Sequence, residues 1–85
     1  MDEQTLKYMG ERVDKARKIQ RKIKDLEHVI EYSAGKFNIK ILDQSSNGPY
    51  IEYREFGALA TRAKDAILDQ VREEIKLLKQ ELAEL

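Results

Sequence analysis

The chain has 85 residues, and this length predicts a single domain over residues 1–85. Its 16 basic and 16 acidic side chains give a formal net charge of zero, and it has one histidine and no cysteine. The lack of cysteine excludes disulfides, iron–sulfur clusters and thiolate zinc sites, and one histidine cannot build a multi-histidine metal centre. The balanced charge argues against a DNA-coating protein, which usually has a basic excess.

No apolar run of about 18 residues occurs, so we expect no membrane span. The acidic, polar start of the chain, unlike a signal peptide, and the lack of cysteine favour a cytoplasmic protein.

A single apolar stripe predicts one long helix over residues 3–34. Its members recur at steps of three and four residues, which keeps them on one helical face. They are Leu6, Met9, Val13, Ala16, Ile19, Ile23, Leu26 and Ile30. Gly35 follows the last periodic residues and suits the left-handed backbone position at which many helices end. We therefore expect the first helix to stop before this glycine.

The next segment, residues 36–56, has the pattern of a β-hairpin. Apolar and polar residues alternate over residues 37–41, as they do in strands. Turn-forming residues then fill positions 43–49, and residues 50–56 are again aromatic, β-branched and alternating. Pro49 must lie at a strand end, because it has no N–H for a ladder hydrogen bond.

The last segment, residues 58–85, has the pattern of a second long helix. Its apolar residues follow alternating steps of three and four, the a/d pattern of helices that pack lengthwise. They are Leu68, Val71, Ile75, Leu78, Leu82 and Leu85. Glu74 and Glu81 flank this seam on one side, and Arg72 and Lys79 flank it on the other. This arrangement of charges is typical of a helix paired with another helix.

These elements predict an α+β fold of order α-β-β-α, in which the helices pack antiparallel and other copies of the chain complete the core. A domain of this size buries only around 60–65% of its unfolded surface, so its own core is thin, and an isolated hairpin is marginal in water. Apolar residues off the seams, such as Val29, Ile67 and Leu77, would stay exposed in one copy. We therefore expect a homo-oligomer, with a two-fold dimer as the commonest form. The alternative is a monomer with scattered apolar residues on its surface.

We assign the contacts between copies to the seam of the second helix. The predicted interface residues are Leu68, Val71, Ile75, Leu78 and Leu82. Hairpins from two chains could also pair edge to edge, which would remove exposed strand edges.

A basic stretch in the first helix is the sharpest candidate site. Residues 12–24 hold seven basic residues against Asp14 alone. Arg17, Arg21 and Lys24 fall on one helical face, where they could hold an acidic protein surface or a phosphate-bearing small molecule. The alternative is a solvated face, partly neutralised by acids that an antiparallel helix would bring opposite, namely Asp69, Glu73 and Glu74. No pattern specific enough to read a DNA sequence is present.

The predicted hairpin is the second candidate site, because it combines rings with cations. Its candidate residues are Tyr50, Tyr53 and Arg54 on one strand and Lys36 and Lys40 on the other. Rings stack on bases and cations meet phosphates, so this surface could hold a nucleotide or a single strand. Ordinary cross-strand packing is the plainer interpretation. The loop over residues 45–49 could present N–H groups to an anion, or it is simply a flexible turn.

The sequence predicts neither catalysis nor a cofactor. The serines have no adjacent histidine base to activate them. Two acidic pairs occur, Glu27 with Glu31 and Glu73 with Glu74, but no histidine follows either pair at metal-ligand spacing. We therefore expect no catalytic residue, no metal ligand and no enzymatic activity.

The order of elements resembles two groups of known proteins. The strand pair K-F-N-I-K-I-L and P-Y-I-E-Y-R-E-F, followed by the helix I-K-L-L-K-Q-E-L-A-E-L, resembles small orphan proteins of phages and mobile elements. The same order is similar to the prefoldin β-type subunit, whose helices are much longer. The phage-type resemblance implies a counter-defence or host-takeover protein that acts by stoichiometric binding.

Three functional hypotheses follow. The first is a non-catalytic homo-oligomer that inhibits a partner by binding it through the basic helix face or the hairpin. The second is a protein that sequesters a nucleotide signal in pockets between subunits. The third is an assembly or scaffold protein whose function lies in its helical contacts.

Overall fold

The computed structural model describes residues 3–35 and 37–85, with side chains described from residue 9 onward. Its elements are two long helices joined by two short strands: α1 (Glu3–Tyr32), β1 (Ile39–Lys40), β2 (Tyr50–Ile51) and α2 (Tyr53–Ala83). The predicted order of helix, antiparallel hairpin and helix is confirmed. The molecule is elongated, with extents of 63 × 27 × 15 Å. Within the described residues, no helix has both the length and the apolar composition that a membrane span requires.

Helix α1 ends at Tyr32, two residues before the predicted boundary. The Ser33 hydroxyl donates a hydrogen bond to the Val29 carbonyl oxygen at 2.6 Å, and the Ser33 N–H donates to the same oxygen at 3.1 Å. Gly35 then adopts φ = +131°, which residues with a Cβ rarely do. The predicted helix stop before Gly35 is therefore confirmed, with local hydrogen bonds ending the helix slightly earlier.

The hairpin is short, and Asp43 closes its loop. The ladder has two antiparallel residue pairs, Ile39–Ile51 and Lys40–Tyr50. Asp43 Oδ1 accepts hydrogen bonds from the backbone N–H groups of Ser45 at 2.8 Å and Asn47 at 3.1 Å. Two of the loop N–H groups that could have met an external anion are therefore occupied by the chain's own carboxylate.

Gly48 and Pro49 fit the return of the chain into β2. Pro49 precedes the strand, as predicted, and its carbonyl oxygen accepts a hydrogen bond from the Ile41 N–H at 3.1 Å. The backbone of Ile41 consequently lies against Gly48, where an added Cβ would overlap the Ile41 carbonyl oxygen. This loop position therefore excludes any side chain.

The predicted second strand, residues 50–56, is wrong beyond Ile51, because Tyr53 already begins α2. Asn38 Oδ1 accepts a hydrogen bond from the Tyr53 N–H at 2.9 Å. This contact satisfies a free donor at the helix N-terminus, where Glu52 makes no side-chain cap. A cap supplied from 15 residues away starts a helix where the local alternation favours a strand.

The first turn of α2 is set apart from the rest by a kink. Phe56 has φ = −124° and ψ = 49°, which is not helical, and Gly57 follows it. The Phe56 N–H still donates to the Glu52 carbonyl oxygen at 2.8 Å. The predicted helix start at residue 58 therefore marks the beginning of the straight part of α2. The turn before the kink, which begins at Tyr53, is not predicted as helix.

The core lies between α1 and α2. Its buried cluster has two residues from each helix, Ile19 and Ile23 against Ile75 and Leu78. Partly buried residues extend it on both sides, namely Leu26, Ile30, Val71, Leu82 and Leu85. Among the described residues, only six apolar side chains are buried and none is less than 2% exposed. The core is as thin as the length of the chain predicts.

Contacts at both ends show that the helices run antiparallel. Leu85, after the end of α2, lines one depression with Arg12 and Lys15 of α1. At the opposite end, the Lys64 ammonium donates a hydrogen bond to the Gly35 carbonyl oxygen at 2.5 Å. A cation beside the carboxyl end of α1 also suits the partial negative charge of that end.

The predicted interface residues lie inside the single chain. Leu68, Ile75 and Leu78 are buried there, and Val71 and Leu82 are half-buried. The short hairpin folds α1 back onto α2, so this seam meets the apolar stripe of its own chain first. A contact within one chain also avoids the loss of translational freedom that a contact between copies requires.

The single chain nevertheless leaves a large surface uncovered. Its accessible area is 7362 Å², whereas a compact monomer of its mass, 9.9 kDa, exposes about 5,200 Å². Large apolar side chains that are at least 40% exposed include Met9, Val13, Val29, Tyr32, Ile41, Leu42, Tyr50, Phe56, Leu59, Ile67 and Leu77. The described part of the chain therefore has more large apolar side chains exposed than buried.

Substituting two glycines should separate a steric requirement from helix propensity. Gly48→Ala should lower the free energy of unfolding by about 2 kcal/mol, because its Cβ overlaps backbone that cannot move freely. Gly10→Ala is the matched control: nothing lies within 4 Å of its Cβ, and alanine in a helix should raise that free energy by about 0.5–1 kcal/mol. Urea unfolding followed by circular dichroism measures both. Equal stability of the two variants would contradict the described loop.

The cap from Asn38 gives a second stability prediction. Asn38→Ala should lower the free energy of unfolding by about 1 kcal/mol, because the Tyr53 N–H loses its acceptor. Asn38→Asp keeps an acceptor oxygen at the same place and should retain most of the stability. Thermal unfolding of the three proteins compares them. A loss as large for aspartate as for alanine would show that the side chain does not act as a cap.

Candidate functional site

Basic side chains from both helices surround one open groove. It has a volume of about 660 Å³ and is lined by Arg17, Gln20, Arg21, Ile23, Lys24, Lys79 and Leu82. We call these residues the basic groove. Four of the seven are cations and none is an acid, and the apolar lining comes from Ile23 and Leu82. The four cations are all exposed.

The buried core fixes the direction in which these cations point. Ile23 is only 7% exposed because it packs in the core, and Lys24 follows it directly on α1. On the other helix, Lys79 follows buried Leu78 in the same way. Because a helix turns about 100° per residue, each lysine is rotated about 100° from its buried neighbour, away from the core. Their aliphatic stems can cover apolar surface while the ammonium groups stay in water.

The positive surface continues along α2. A neighbouring depression is lined by Arg72, Ile75, Lys76, Lys79, Gln80 and Ala83, again without an acid. Lys79 belongs to both depressions, so together they form one basic face with six cations: Arg17, Arg21, Lys24, Arg72, Lys76 and Lys79. Arg72 makes an ion pair with Asp69 at 3.2 Å, and both side chains are more than half exposed. Such a surface pair contributes little.

Half of this face is predicted from the sequence, namely Arg17, Arg21 and Lys24. Arg72 and Lys79 are predicted there only as charges that flank a seam. The missed residues Arg72, Lys76 and Lys79 have the same spacing, i, i+4 and i+7, as the three that were found. That shared spacing was the available signal, but only the packing of the helices puts the two sets on one side.

The alternative, a basic stretch partly neutralised by acids of α2, is not accompanied by an ion pair between the two helices among the described side chains. Lys79 and Leu82 lie across from Arg17, Arg21 and Lys24. Glu74 lies five residues away, about 7.5 Å along the helix, and shares a groove with Leu26 on the other side of the seam. Asp69 pairs with Arg72 on its own helix. Among the described side chains, the four cations of the basic groove therefore have no acidic partner within 4.0 Å.

The hairpin candidate is divided between two elements. Tyr50 lies on β2, but Tyr53 and Arg54 lie in the first turn of α2, so the predicted single strand does not hold all three. The Lys40 ammonium lies 4.8 Å from the centre of the Tyr50 ring. This cation–π contact already occupies two of the candidate residues with each other. Lys36 lies outside the described residues.

Two other clusters of polar or aromatic side chains have no single sign of charge or already contact one another. A depression of about 590 Å³ at the end of α2 combines both signs of charge, with Glu11, Arg12, Asp14, Lys15, Lys18, Glu84 and Leu85. His28 lies near the ring of Tyr32, with centroids 6.0 Å apart, and Tyr32 lies 5.8 Å from Phe37. This aromatic row ties the end of α1 to the segment before β1.

Comparison of the chain with protein-family models, with curated proteins and with solved structures finds no significant match. The basic groove remains the part of the described surface where side chains of one chemical kind converge from both helices.

Proposed function

We propose that this chain is a non-catalytic binding protein whose basic face occupies an acidic protein partner in a stoichiometric complex. One observation supports this most strongly: four cations from two helices surround a groove with apolar lining, and no acid lines it among the described side chains. The net charge of the chain is zero, so the positive charge is a local feature.

Unpaired cations at this spacing favour an anionic partner. Arg17, Arg21, Lys24 and Lys79 repel one another, and a carboxylate that enters the groove relieves this repulsion. Each new pair at about 4 Å is worth about 1 kcal/mol in surroundings as polar as water. Several such pairs, together with apolar contact on half-buried Leu82 and on the aliphatic stems of the cations, would give a specific complex of moderate affinity.

The chemistry of the groove lining favours a protein over a nucleic acid. Half-buried Leu82 and the aliphatic stems of the cations offer apolar contact, which an acidic amphipathic helix matches with its own apolar residues. Single-stranded nucleic acids and nucleotides bind largely by stacking on rings, and the described residues that line the groove include no aromatic one. Tyr50, which the sequence suggests as a ring for base stacking, lies on the hairpin and contacts Lys40 there.

The phage-type resemblance supplies a biological setting for this binding. In that setting the chain is a cytoplasmic counter-defence or host-takeover inhibitor, and it acts as a homo-oligomer that presents the basic face more than once. The uncovered apolar surface supports self-association. Nucleotide sequestration and a purely structural scaffold are the rival functions that the experiment below separates.

Charge reversal in the groove tests the proposal. The probe is a synthetic amphipathic peptide with glutamates on one helical face and leucines on the other, titrated by fluorescence anisotropy. The double variant Arg17→Glu/Arg21→Glu should raise the dissociation constant about tenfold or more, since two attractive pairs become repulsive. Lys79→Glu should weaken binding in the same direction, because the groove needs both helices. Rising salt should weaken binding to the unaltered chain.

A matched control has the same change in net charge. Arg54→Glu/Arg62→Glu reverses two exposed cations outside the groove and should leave the dissociation constant within about twofold. Equal losses in both double variants would reduce the effect to net charge and contradict a groove-specific site. Tight binding of a cyclic or linear nucleotide, with no binding of the peptide, would favour sequestration. Absence of binding to every probe would favour the scaffold.

A further inference from the structure

A second helical face, opposite the basic one, combines apolar and acidic residues. On α2 its members follow steps of three and four beside the core seam: Ile67, Gln70, Glu74, Leu77 and Glu81. Ile67 and Leu77 are 48% and 56% exposed. Around the helix, Leu77 and Glu74 lie about 160° and 140° from Lys79. The basic face and this face therefore flank the core on opposite sides.

Helix α1 contributes cations to the same side. Leu26 shares an apolar groove of about 400 Å³ with Ile67 and Glu74, which identifies the edge of α1 that borders this face. Along that edge Lys18, Lys22 and Val29 lie within about 40° of one another around the helix. Val29 is 40% exposed. We call the combined surface of both helices the lateral face.

We infer that the lateral face binds a second copy of this chain, with a two-fold axis parallel to the helices. Such an axis exchanges the two helices and preserves height, so α1 of one copy lies over α2 of the other. Two observations select this occupant: the distribution of charge over the face and the amount of uncovered surface. The inference rests on the proposed self-association and is independent of the acidic partner.

The charges of the lateral face are complementary under this symmetry. Its acids Glu74 and Glu81 lie on α2 and its lysines on α1, whereas Glu11 of α1 lies two turns before Lys18, near the end of the helical pair. Ile23 shares a groove with Lys79 and Leu82, so Lys18 and Lys22 lie near the height of Glu81. The two-fold axis therefore brings these lysines over the partner copy's counterpart of Glu81 and makes every such attraction twice. Asp25, which lies one turn before Val29 on α1, is turned about 40° away from it toward the outer edge.

The apolar residues fit the same arrangement. Val29 lies one turn beyond Leu26, whose groove extends from Ala66 to Glu74. It therefore lies at a height between Ile67 and Leu77, which are ten residues or about 15 Å apart on α2. In the dimer Val29 of each copy would lie over the other copy's α2 between Ile67 and Leu77, where Gln70 and Glu74 also lie.

The uncovered area exceeds what a dimer interface needs. The chain exposes 7362 Å², roughly 2,000 Å² more than a compact monomer of its mass, and a standard interface buries about 800 Å² on each partner. The basic face lies on the other side of each helical pair, so it stays open in the dimer. One dimer then offers two sites for the acidic partner.

Sedimentation velocity of the full chain tests the inference, and circular dichroism checks folding. The unaltered protein should sediment at twice the mass of the 9.9 kDa chain. Ile67→Glu/Leu77→Glu should give a folded monomer, because the dimer interface would then have to bury two carboxylates in place of two apolar side chains. Val13→Glu is the matched control: Val13 is 48% exposed, as Ile67 is, but it lies on the basic side of α1, so the dimer should persist.

A charge exchange keeps the test independent of apolar packing. Glu81→Lys should raise the dimer dissociation constant about tenfold, and adding Lys18→Glu/Lys22→Glu in the same chain should restore it.

An unaltered chain that is monomeric at high concentration overturns both the interface and the proposed self-association. A dimer that survives Ile67→Glu/Leu77→Glu and Glu81→Lys overturns this interface alone. Peptide binding to the basic groove is measured separately, so its failure is distinguishable from either result.

Discussion

The antiparallel contact between α1 and α2 is the constraint on which the rest of the molecule depends. Its buried centre consists of Ile19 and Ile23 against Ile75 and Leu78. Because the pairing is lengthwise, it fixes the height and the rotation of every exposed side chain on both helices. The basic groove exists only because this contact sets α1 cations beside Lys79. With so few buried residues, the positions of these surfaces depend on a small number of methyl and methylene groups.

The same contact divides the surface into two faces of different chemistry. One side of the seam carries cations from both helices with no acid in the lining. The other side pairs acids and apolar residues of α2 with the edge of α1 that bears lysines and Val29. A face with one sign of charge repels its own copy and suits a partner of opposite charge. A face with both signs and exposed apolar side chains suits self-association. The two proposals therefore use different surfaces and are compatible.

The hairpin serves chiefly to return the chain and to secure the helix ends. Asn38 caps the start of α2, Lys64 binds the Gly35 carbonyl after α1, and Asp43 organises the loop. The Asp43 contacts occupy two of the loop N–H groups that could have met an anion, and the Lys40–Tyr50 contact pairs two of the candidate side chains with each other. A binding role in this region would have to disrupt contacts that hold the fold, whereas the cations of the basic groove are free among the described side chains.

The sequence by itself determined the order of the elements, the helical faces, the positions of Gly35 and Pro49, and the basic triad Arg17, Arg21 and Lys24. These features follow from local periodicity and from backbone chemistry, which neighbouring residues specify. Only the tertiary structure decided that α2 starts at Tyr53, that Leu68 and Ile75 are buried within one chain, and that Lys79 joins the triad. Each of these depends on residues distant in sequence: a cap from Asn38, the fold-back of α1, and the relative height of two helices. Periodicity specifies which face of a helix is apolar, but it does not specify which surface that face meets or at what height.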